Sequence, residues 1–213
     1  MTRAAYTAGM SSVIHSVTVY CSSSTAIPRA YFDAAAELGA AIASRKWTLV
    51  YGGNFVGLMA AVAQAARDRG GRVVGVTPQL MVDKGLSDQK ADELIVTNTM
   101  RDRKAIMEER GGAFVALPGG LGTFEEVFEI IVGKQLKYHD KAIVLLNVNR
   151  YFDPLLQMIE HGIEQRFIKS KARDLYFVAP TVAAAMDYLR HYVPPAPSAD
   201  KWFTPAGPPS GAE

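Results

Sequence analysis

Short apolar runs alternate with longer amphipathic stretches along most of this chain. Each apolar run spans only a few residues, which is typical of a strand buried on both faces of a parallel sheet. Each amphipathic stretch repeats its apolar residues at helical spacing. The runs predicted to form strands lie at 15–21, 47–51, 72–76, 94–96, 113–117, 141–148 and 174–178. The alternation predicts a three-layer α/β domain with a mostly parallel sheet, helices on both faces and right-handed crossovers.

Proline and glycine mark the ends of the first two predicted helices. Pro28 begins the first helix, which ends near Arg45, because a helix start leaves unused the amide that proline lacks. Gly70 and Gly71 end the second helix, as glycine commonly does. Residues 77–92 show no clear periodicity and are predicted to form a long loop over the sheet edge. Such a loop is either a functional lid or a simple insertion, and both alternatives stay open.

The two ends of the chain differ from its middle. Residues 1–14 contain no apolar stretch of the kind found in a signal peptide, so we expect a flexible leader there. Proline, glycine, serine and alanine dominate residues 194–213, which predicts a disordered tail. We therefore expect residues 15–193 to form a single α/β domain.

Composition narrows the class of protein. Apolar residues make up 49% and charged residues 21% of the 213 residues, which is ordinary for a globular protein. The net charge of +2 argues neither for nor against nucleic acid, but no basic stripe is interleaved with aromatic residues, so no nucleic-acid partner is expected. Cys21 is the only cysteine, which excludes an intrachain disulfide and predicts a cytoplasmic location. No apolar run approaches the roughly 18 residues that a membrane helix needs, so no membrane contact is expected.

One motif, residues 117–126, combines the end of a predicted strand, a glycine turn and the start of a helix. Gly119, Gly120 and Gly122 carry no side chains that would keep a ligand away from the backbone. The first amides of the helix and its dipole then favour an anion in the turn, of which phosphate is the natural example. Thr123 can add a hydroxyl group. Glu125 and Glu126 place carboxylates one helical turn away.

The same residues allow a purely structural interpretation. Thr123 and Glu126 have the spacing of a capping box, in which both side chains satisfy free amides at a helix start. A capping box does not explain why three glycines precede the helix. The motif also lacks the lysine of a P-loop and the third glycine of a dinucleotide fingerprint. A nucleoside triphosphate or NAD is therefore not the preferred ligand.

Two other strand ends carry candidate binding residues. Ser22 and Ser23 follow the first strand and can cap a helix, bind a phosphate or ribose, or form a plain polar turn. Gly52 and Gly53 follow the second strand in another glycine-rich turn. All three turns follow strands of a parallel sheet, so they lie at one edge of it. In such sheets, ligands bind at this edge, at the point where the strand order reverses. The three turns could therefore converge on one pocket.

Basic residues near the start of the third predicted helix lie where cations are unfavourable. Arg101, Arg103 and Lys104 lie where the helix dipole disfavours cations. Either they are simply solvated, as we expect for Arg101, or an anion is supplied from elsewhere. Arg103 and Lys104 are candidates for binding a phosphate or for pairing with Glu126, a task suited to the planar guanidinium of arginine. His139 lies in a turn, where a lone histidine is usually structural.

These motifs resemble the LOG family, the cytokinin riboside 5′-monophosphate phosphoribohydrolases, whose members are often labelled possible lysine decarboxylases. The resemblance covers about residues 17–168. Its most specific part is Pro-Gly-Gly-x-Gly-Thr-x-x-Glu at 118–126, and Arg103-Lys104 and the glycine-rich 51–59 segment add to it. Residues 139–141 and 145–148 extend the similarity.

The resemblance implies a Rossmann-like fold and hydrolysis of the N-glycosidic bond of a nucleoside 5′-monophosphate, giving a free base and ribose 5-phosphate. It implies no metal or organic cofactor and a homodimer. The catalytic arginine and glutamate of the family correspond to Arg103 and Glu126. Its nucleotide contacts correspond to Lys104, Gly119, Gly120, Gly122, Thr123 and Glu125.

The chain departs from the family pattern around the expected base pocket. Ser22, Asn54 and Ala60 replace glycines, Gly85 replaces a common glutamate, Val132 replaces the threonine of plant members, and Lys134 stands beside Gln135 in place of an alanine. The base specificity, AMP or an N6-substituted adenine nucleotide, is therefore open. The alternative function is a nucleotide-binding or carrier protein without turnover. Lysine decarboxylation has no support, because no lysine has the expected setting of a pyridoxal phosphate site.

Overall fold

The computed structural model describes residues 14–195, and in it seven strands form one sheet in which every neighbouring pair is parallel. The spatial order is β4-β3-β2-β1-β5-β6-β7. The strands are β1 (Ser16–Tyr20), β2 (Thr48–Tyr51), β3 (Val73–Pro78), β4 (Glu93–Thr97), β5 (Ala113–Ala116), β6 (Ala142–Leu146) and β7 (Phe177–Ala179). The predicted α/β fold is confirmed, and the sheet is parallel throughout.

Helices cover both faces of this sheet. They are α1 (Arg29–Ser44), α2 (Gly57–Asp68), α3 (Gln79–Asp83), α4 (Met100–Arg110), α5 (Leu121–Gln135), α6 (Asp153–Glu164) and α7 (Val182–His191). Short 3-10 turns span Val148–Arg150 and Ser170–Leu175. No described helix has both the length and the apolar character needed to cross a membrane.

Two hydrophobic cores lie on opposite faces of the sheet. Helices α1, α2 and α7 contribute residues such as Leu38, Val62 and Leu189 to the first core. Helices α4 and α5 contribute Met107 and Ile130 to the second. Side chains alternate between the faces along a strand, so one strand supplies both cores. The result is the predicted three-layer arrangement.

The order of the strands reverses at β1. From β1 the chain moves outward through β2 and β3 to β4, then returns to the other side of β1 with β5. The crossovers that leave β1 and β5 therefore diverge, which opens a crevice at the carboxyl ends of these strands. The strands are in register here, because Tyr20 pairs with Ala116 and the Leu117 amide donates to the Tyr20 carbonyl at 2.9 Å.

Two local predictions were wrong. The 77–92 segment is not entirely a loop, because it contains the short helix α3, none of whose residues is buried. A five-residue helix with no buried face leaves no apolar periodicity to detect. The last strand begins at Phe177 rather than at 174, because Asp174 and Leu175 belong to a 3-10 turn. The predicted leader and tail, apart from Ile14, Pro194 and Pro195, lie outside the described residues.

Candidate active site

A cavity of about 400 Å³ lies at the carboxyl ends of β1, β2 and β5. The predicted convergence of three turns is confirmed, since the turn after each of these strands contributes to its wall. The lining residues are Cys21, Ser22, Ser23, Ser24, Asn54, Met59, Pro78, Met81, Met100, Arg103, Gly120, Leu121, Gly122, Thr123 and Glu126. Met81 belongs to α3, so the 77–92 segment also takes part in the wall.

The start of α5 faces this cavity. Gly120 is the N-cap residue, and the Phe124 amide donates to its carbonyl at 3.0 Å. Helix geometry leaves the amides before Phe124 without acceptors inside the helix. A Cβ atom at Gly120 or Gly122 would meet nothing within 4 Å, so both glycines face open space. The backbone here has the form of an anion-binding site.

The capping-box interpretation is wrong for this helix start. The N-cap position is held by Gly120, so Thr123 already lies inside the helix and no side chain caps it. The Glu126 carboxylate instead accepts a hydrogen bond from Arg103. Thr123 and Glu126 both line the cavity.

Gly119 has a different role from its two neighbours. A Cβ atom at Gly119 would lie 2.1 Å from the Thr123 hydroxyl oxygen, so only glycine leaves room for that side chain. The Gly119 carbonyl also accepts a hydrogen bond from the Tyr151 hydroxyl at 2.5 Å. Gly119 itself is buried beneath the cavity rather than lining it.

The serine turn after β1 packs against the start of α2. The Leu58 amide donates to the Ser22 carbonyl at 3.0 Å. Gly57 has φ +59, and a Cβ atom there would lie 2.5 Å from the Ser23 carbonyl carbon. The Ser22 hydroxyl oxygen accepts from the Ser24 amide at 3.0 Å, which leaves its hydroxyl proton available to a ligand. Ser22 and Ser23 thus face the cavity with hydroxyl groups that can bind an anion or a sugar.

The glycines after β2 lie beneath the cavity and do not line it. A Cβ atom at Gly52 would lie 2.3 Å from a terminal nitrogen of Arg103, so the missing side chain makes room for the guanidinium group. Gly53 has φ +71, and its carbonyl accepts from the Asp88 amide at 2.8 Å. A direct contact between these glycines and a substrate remains a prediction.

Arg103 and Glu126 form a buried ion pair in the cavity wall. The Arg103 Nη1 and Glu126 Oε1 atoms are 2.7 Å apart, and each side chain is 9% exposed. Arg103 Nε also donates to the Val76 carbonyl at 3.0 Å, which fixes the plane of the guanidinium group. Burial raises the pKa of the Glu126 carboxyl, and the Arg103 charge opposes this rise. The pair places a rigid carboxylate beside the anion-binding turn.

Lys104 and Glu125 are adjacent to this pair in sequence but do not line the cavity. The Lys104 amine lies 2.6 Å from Glu125 and 2.7 Å from Glu129 on the outer surface of α4 and α5. Hydrogen bonds to these two carboxylates raise the pKa of Lys104. The nucleotide contacts that the resemblance implies for Lys104 and Glu125 stay a prediction.

His139 lies outside the cavity. Its Nδ1 atom accepts from the Lys141 amide at 3.2 Å, so Nε2 carries the proton and donates to the Ile130 carbonyl at 2.9 Å. Burial lowers the pKa of His139 to about 4. These contacts support the structural role expected for this residue.

The residues that depart from the family pattern lie in different places. Ser22 and Asn54 line the cavity, and Asn54 Oδ1 accepts from the Thr77 hydroxyl at 3.2 Å. Gly85 has φ +66 at the end of α3, where a side chain would be strained. Val132 is exposed on α5. Lys134 is buried in a second cavity, of about 580 Å³, beside α7, and burial lowers its pKa to about 8.

Sequence reasoning missed several cavity residues. Cys21, Pro78, Met81 and Met100 line the wall but carry no recognisable motif, and Met59 was noted only as the last residue of the glycine-rich 51–59 segment. Only their position in the sequence could have indicated a place in the cavity wall, because most of them closely follow a predicted strand. Within residues 14–195, no group of three His, Cys, Asp or Glu side chains is placed to hold a metal ion.

A parallel sheet with an anion-binding helix start at its switch point defines a Rossmann-like α/β protein. Comparison with known proteins narrows the class further. The family described as "possible lysine decarboxylase" matches residues 59–189, and the chain belongs to this family, the LOG family.

Plant relatives match nearly the whole chain. A probable cytokinin riboside 5′-monophosphate phosphoribohydrolase of Oryza sativa subsp. japonica is 42% identical over 199 residues, covering 91% of this chain and 88% of the relative. A cytokinin riboside 5′-monophosphate phosphoribohydrolase of Arabidopsis thaliana is 39% identical over 178 residues, covering 84% of each. Among solved structures, the molybdenum cofactor carrier protein of Chlamydomonas reinhardtii superposes with a TM-score of 0.61 at 26% identity. That match covers 81% of this chain and 94% of the carrier.

Proposed function

We propose that this protein is a nucleoside 5′-monophosphate phosphoribohydrolase. It hydrolyses the N-glycosidic bond of a cytokinin riboside 5′-monophosphate, of AMP or of both, and releases the free base and ribose 5-phosphate. The names of the plant relatives support this reaction. The observation that carries the proposal is that the buried Arg103–Glu126 pair and the open start of α5 line one cavity.

The phosphate binds at the start of α5. The Gly120 and Gly122 backbone faces open space there, and the Thr123 hydroxyl lines the same wall. Ser22 and Ser23 approach from the turn after β1 with further hydroxyl groups. The phosphate is remote from the bond that breaks, so its binding energy serves to hold the ribose in a reactive position.

Glu126 acts on the ribose. When the base leaves with the bonding electrons, positive charge develops on the sugar ring, and a nearby carboxylate stabilises it. The same carboxylate can orient or deprotonate the water whose oxygen attacks C1′. Arg103 holds the carboxylate in place through its hydrogen bond at 2.7 Å. The departing base takes up a proton, which completes the hydrolysis.

The remaining wall is suited to the base. Met59, Met81 and Met100 line the cavity together with Asn54. Thioether side chains adapt to irregular apolar and aromatic shapes, and an amide can bond the edge of a purine. Both AMP and an N6-substituted adenine nucleotide fit this description.

A nucleotide-binding or carrier protein without turnover is the alternative, and its support is the fold match with the molybdenum cofactor carrier protein at 26% identity. The two functions separate on incubation with AMP and with isopentenyladenosine monophosphate, followed by chromatography of the free base. Base release that is lost in Glu126→Gln supports the enzyme. Tight nucleotide binding without any base release from either substrate would establish the carrier instead.

We also propose a homodimer. The exposed side of α5 and the turn after it carry Leu121, Phe128, Val132 and Tyr138, and Leu121 is 87% exposed. Burying such a stripe against a second copy would remove apolar surface from water. Sedimentation velocity of the full chain should give a dimer, and Phe128→Glu should shift it toward monomer. A wild-type monomer at micromolar concentration would contradict this part of the proposal.

We further propose that residues 15–193 form the catalytic domain and that the protein acts in the cytoplasm. We also propose that turnover needs no metal, organic cofactor or nucleic acid. Activity that persists after dialysis against EDTA would support the metal-free reaction. Loss of that activity, with recovery on adding a divalent cation, would overturn it.

A further inference from the structure

The hydroxyl of Tyr151 donates a hydrogen bond to the Gly119 carbonyl at 2.5 Å. That carbonyl belongs to the peptide between Gly119 and Gly120, in the turn before α5. A trans peptide is planar, so its N–H and C=O groups lie on opposite sides. Because the carbonyl is directed to Tyr151, the Gly120 amide is directed away from Tyr151. Gly120 lines the cavity and Tyr151 does not.

Tyr151 is itself held in place from several sides. Its ring contacts Tyr31 edge-on at 6.0 Å between centroids and stacks on Phe124 at 6.4 Å. The Asn147 side chain accepts from the Phe152 amide at 2.7 Å and donates to Asp153 at 2.8 Å, which closes the loop around Tyr151.

The residues before Tyr151 adopt an unfavourable backbone conformation. Asn149 has φ +51 and Arg150 has φ +59, in the left-handed region that favours glycine. Non-glycine residues persist there only where the surrounding structure over-determines the conformation. This backbone strain lies directly beside Tyr151, whose hydroxyl contacts the glycine turn.

We propose that Tyr151 is a positioning residue for phosphate binding, which orients the Gly119–Gly120 peptide so that the Gly120 amide donates to the phosphoryl group. The inference rests on the proposed function, since it takes the anion at the start of α5 to be the phosphate of a nucleotide. A hydrogen bond to the carbonyl also polarises the peptide and strengthens its amide as a donor. Tyr151 therefore acts through Gly120 and does not touch the substrate.

The test separates the phosphate end of the ligand from the base end. Tyr151→Phe removes one hydroxyl and keeps the ring contacts. The inhibition constant of ribose 5-phosphate should rise about three- to tenfold, the range for losing one hydrogen bond, and the KM for AMP should rise with it. The inhibition constant of adenine should stay within about twofold, because adenine carries no phosphate. Tyr31→Phe removes a neighbouring hydroxyl and should leave both constants at their wild-type values.

Several outcomes would overturn the inference. Equal weakening of ribose 5-phosphate and adenine would show that Tyr151 supports the fold in general, and weakening of neither would show that it does not act on the site. If Tyr151→Phe does not fold by circular dichroism, Asn147→Ala, which loosens the same loop, must show the selective loss. If the wild type releases no base from any nucleotide, the proposed reaction fails. The inference is then tested by calorimetry. Tyr151→Phe should weaken the binding of AMP and leave the binding of adenosine unchanged, and equal effects on both would overturn the inference.

Discussion

Helices α4 and α5 meet through two neighbouring sets of opposite charges with very different surroundings. Arg103 and Glu126 are 2.7 Å apart and each is 9% exposed. Lys104 reaches Glu125 and Glu129 at similar distances. Its own side chain is 12% exposed, but these carboxylates are 60% and 47% exposed. An α-helix turns by about 100° per residue, so adjacent residues face different ways. One position therefore decides whether an ion pair lies in the cavity wall or beside the outer surface.

Burial gives the two sets different properties. Water screens the outer set, and exposed pairs of this kind contribute about 0–1 kcal/mol to stability. The inner pair is withdrawn from water, so each charge depends on its partner and interacts strongly with any charge that develops in the cavity. Burial raises the pKa of Glu126 for the same reason. Equal distances between opposite charges therefore need not mean equal functions.

Glu126→Gln should have the largest effect on turnover. The amide keeps the shape of the side chain but cannot stabilise positive charge on the ribose, so we expect kcat for base release to fall by about 10³-fold. AMP should still bind when measured by calorimetry. Glu129→Gln, on the outer surface of the same helix, is the matched control and should keep most of the activity. Full activity in Glu126→Gln would remove this carboxylate from the mechanism.

Arg103→Ala should weaken both turnover and nucleotide binding, by roughly 10²-fold in kcat/KM. The Glu126 carboxylate loses its partner and its orientation, and a buried charge left unpaired costs about 3–5 kcal/mol of stability. Chemical denaturation would measure this loss, and Arg103→Lys would show whether charge without the planar fork restores it. An alanine variant with wild-type kinetics would identify Arg103 as a merely structural cation.

Gly52→Ala tests the inner pair without removing either charge. The added Cβ atom would lie 2.3 Å from a terminal nitrogen of Arg103, so the guanidinium group must move. Displacement of a positioning group by about 1 Å is enough to reduce kcat by about tenfold or more. Gly122→Ala meets nothing within 4 Å, so its fold should be unaffected, and any loss there should come from ligand binding. Unchanged kcat in Gly52→Ala would show that the position of Arg103 is not critical.

The pH dependence of base release should show the raised pKa of Glu126. The reaction needs the ionised carboxylate, so kcat/KM should fall about tenfold per pH unit below that pKa. A raised pKa moves this acid limb to higher pH than the value of about 4.3 for an ordinary glutamate. In Arg103→Ala the limb should move to still higher pH, because the opposing positive charge is gone. A rate that stays constant from pH 7 to about pH 4 would contradict this assignment.

Lys104→Ala should have the smallest effect. It breaks only the outer set of charges, so we expect about a twofold change in KM at most and a change in unfolding free energy below about 1 kcal/mol. The small effect on stability should shrink further at high salt. A loss as large as that of Arg103→Ala would instead support the direct nucleotide contact that the resemblance implies for Lys104.

Local patterns predicted most of the fold. Periodicity located the seven strands to within a few residues, and Pro28 and Gly70 marked helix ends where the structure has them. The order of the strands was beyond sequence reasoning, because pairing between distant strands leaves no local signal. Helix α3 was missed because none of its residues is buried.

The candidate site was predictable only in part. The glycine turn and the pairing of Arg103 with Glu126 followed from motif and charge, although the capping box was an equally simple interpretation of Thr123. Met81 and Met100 could not be predicted as cavity residues, because each reaches the wall through the fold rather than through a motif. From the sequence, Gly52, Gly119 and Gly120 were all predicted to bind substrate. The structure shows that Gly52 and Gly119 make room for neighbouring side chains, whereas Gly120 faces the cavity.

The most direct test of the account is a crystal structure of the Glu126→Gln variant soaked with AMP. We predict phosphate oxygen atoms within hydrogen-bonding reach of the Gly120 and Gly122 amides, and the substituted amide side chain at position 126 beside C1′ of the ribose. A nucleotide bound elsewhere, or a phosphate lying against Lys104 on the outer surface, would contradict the account.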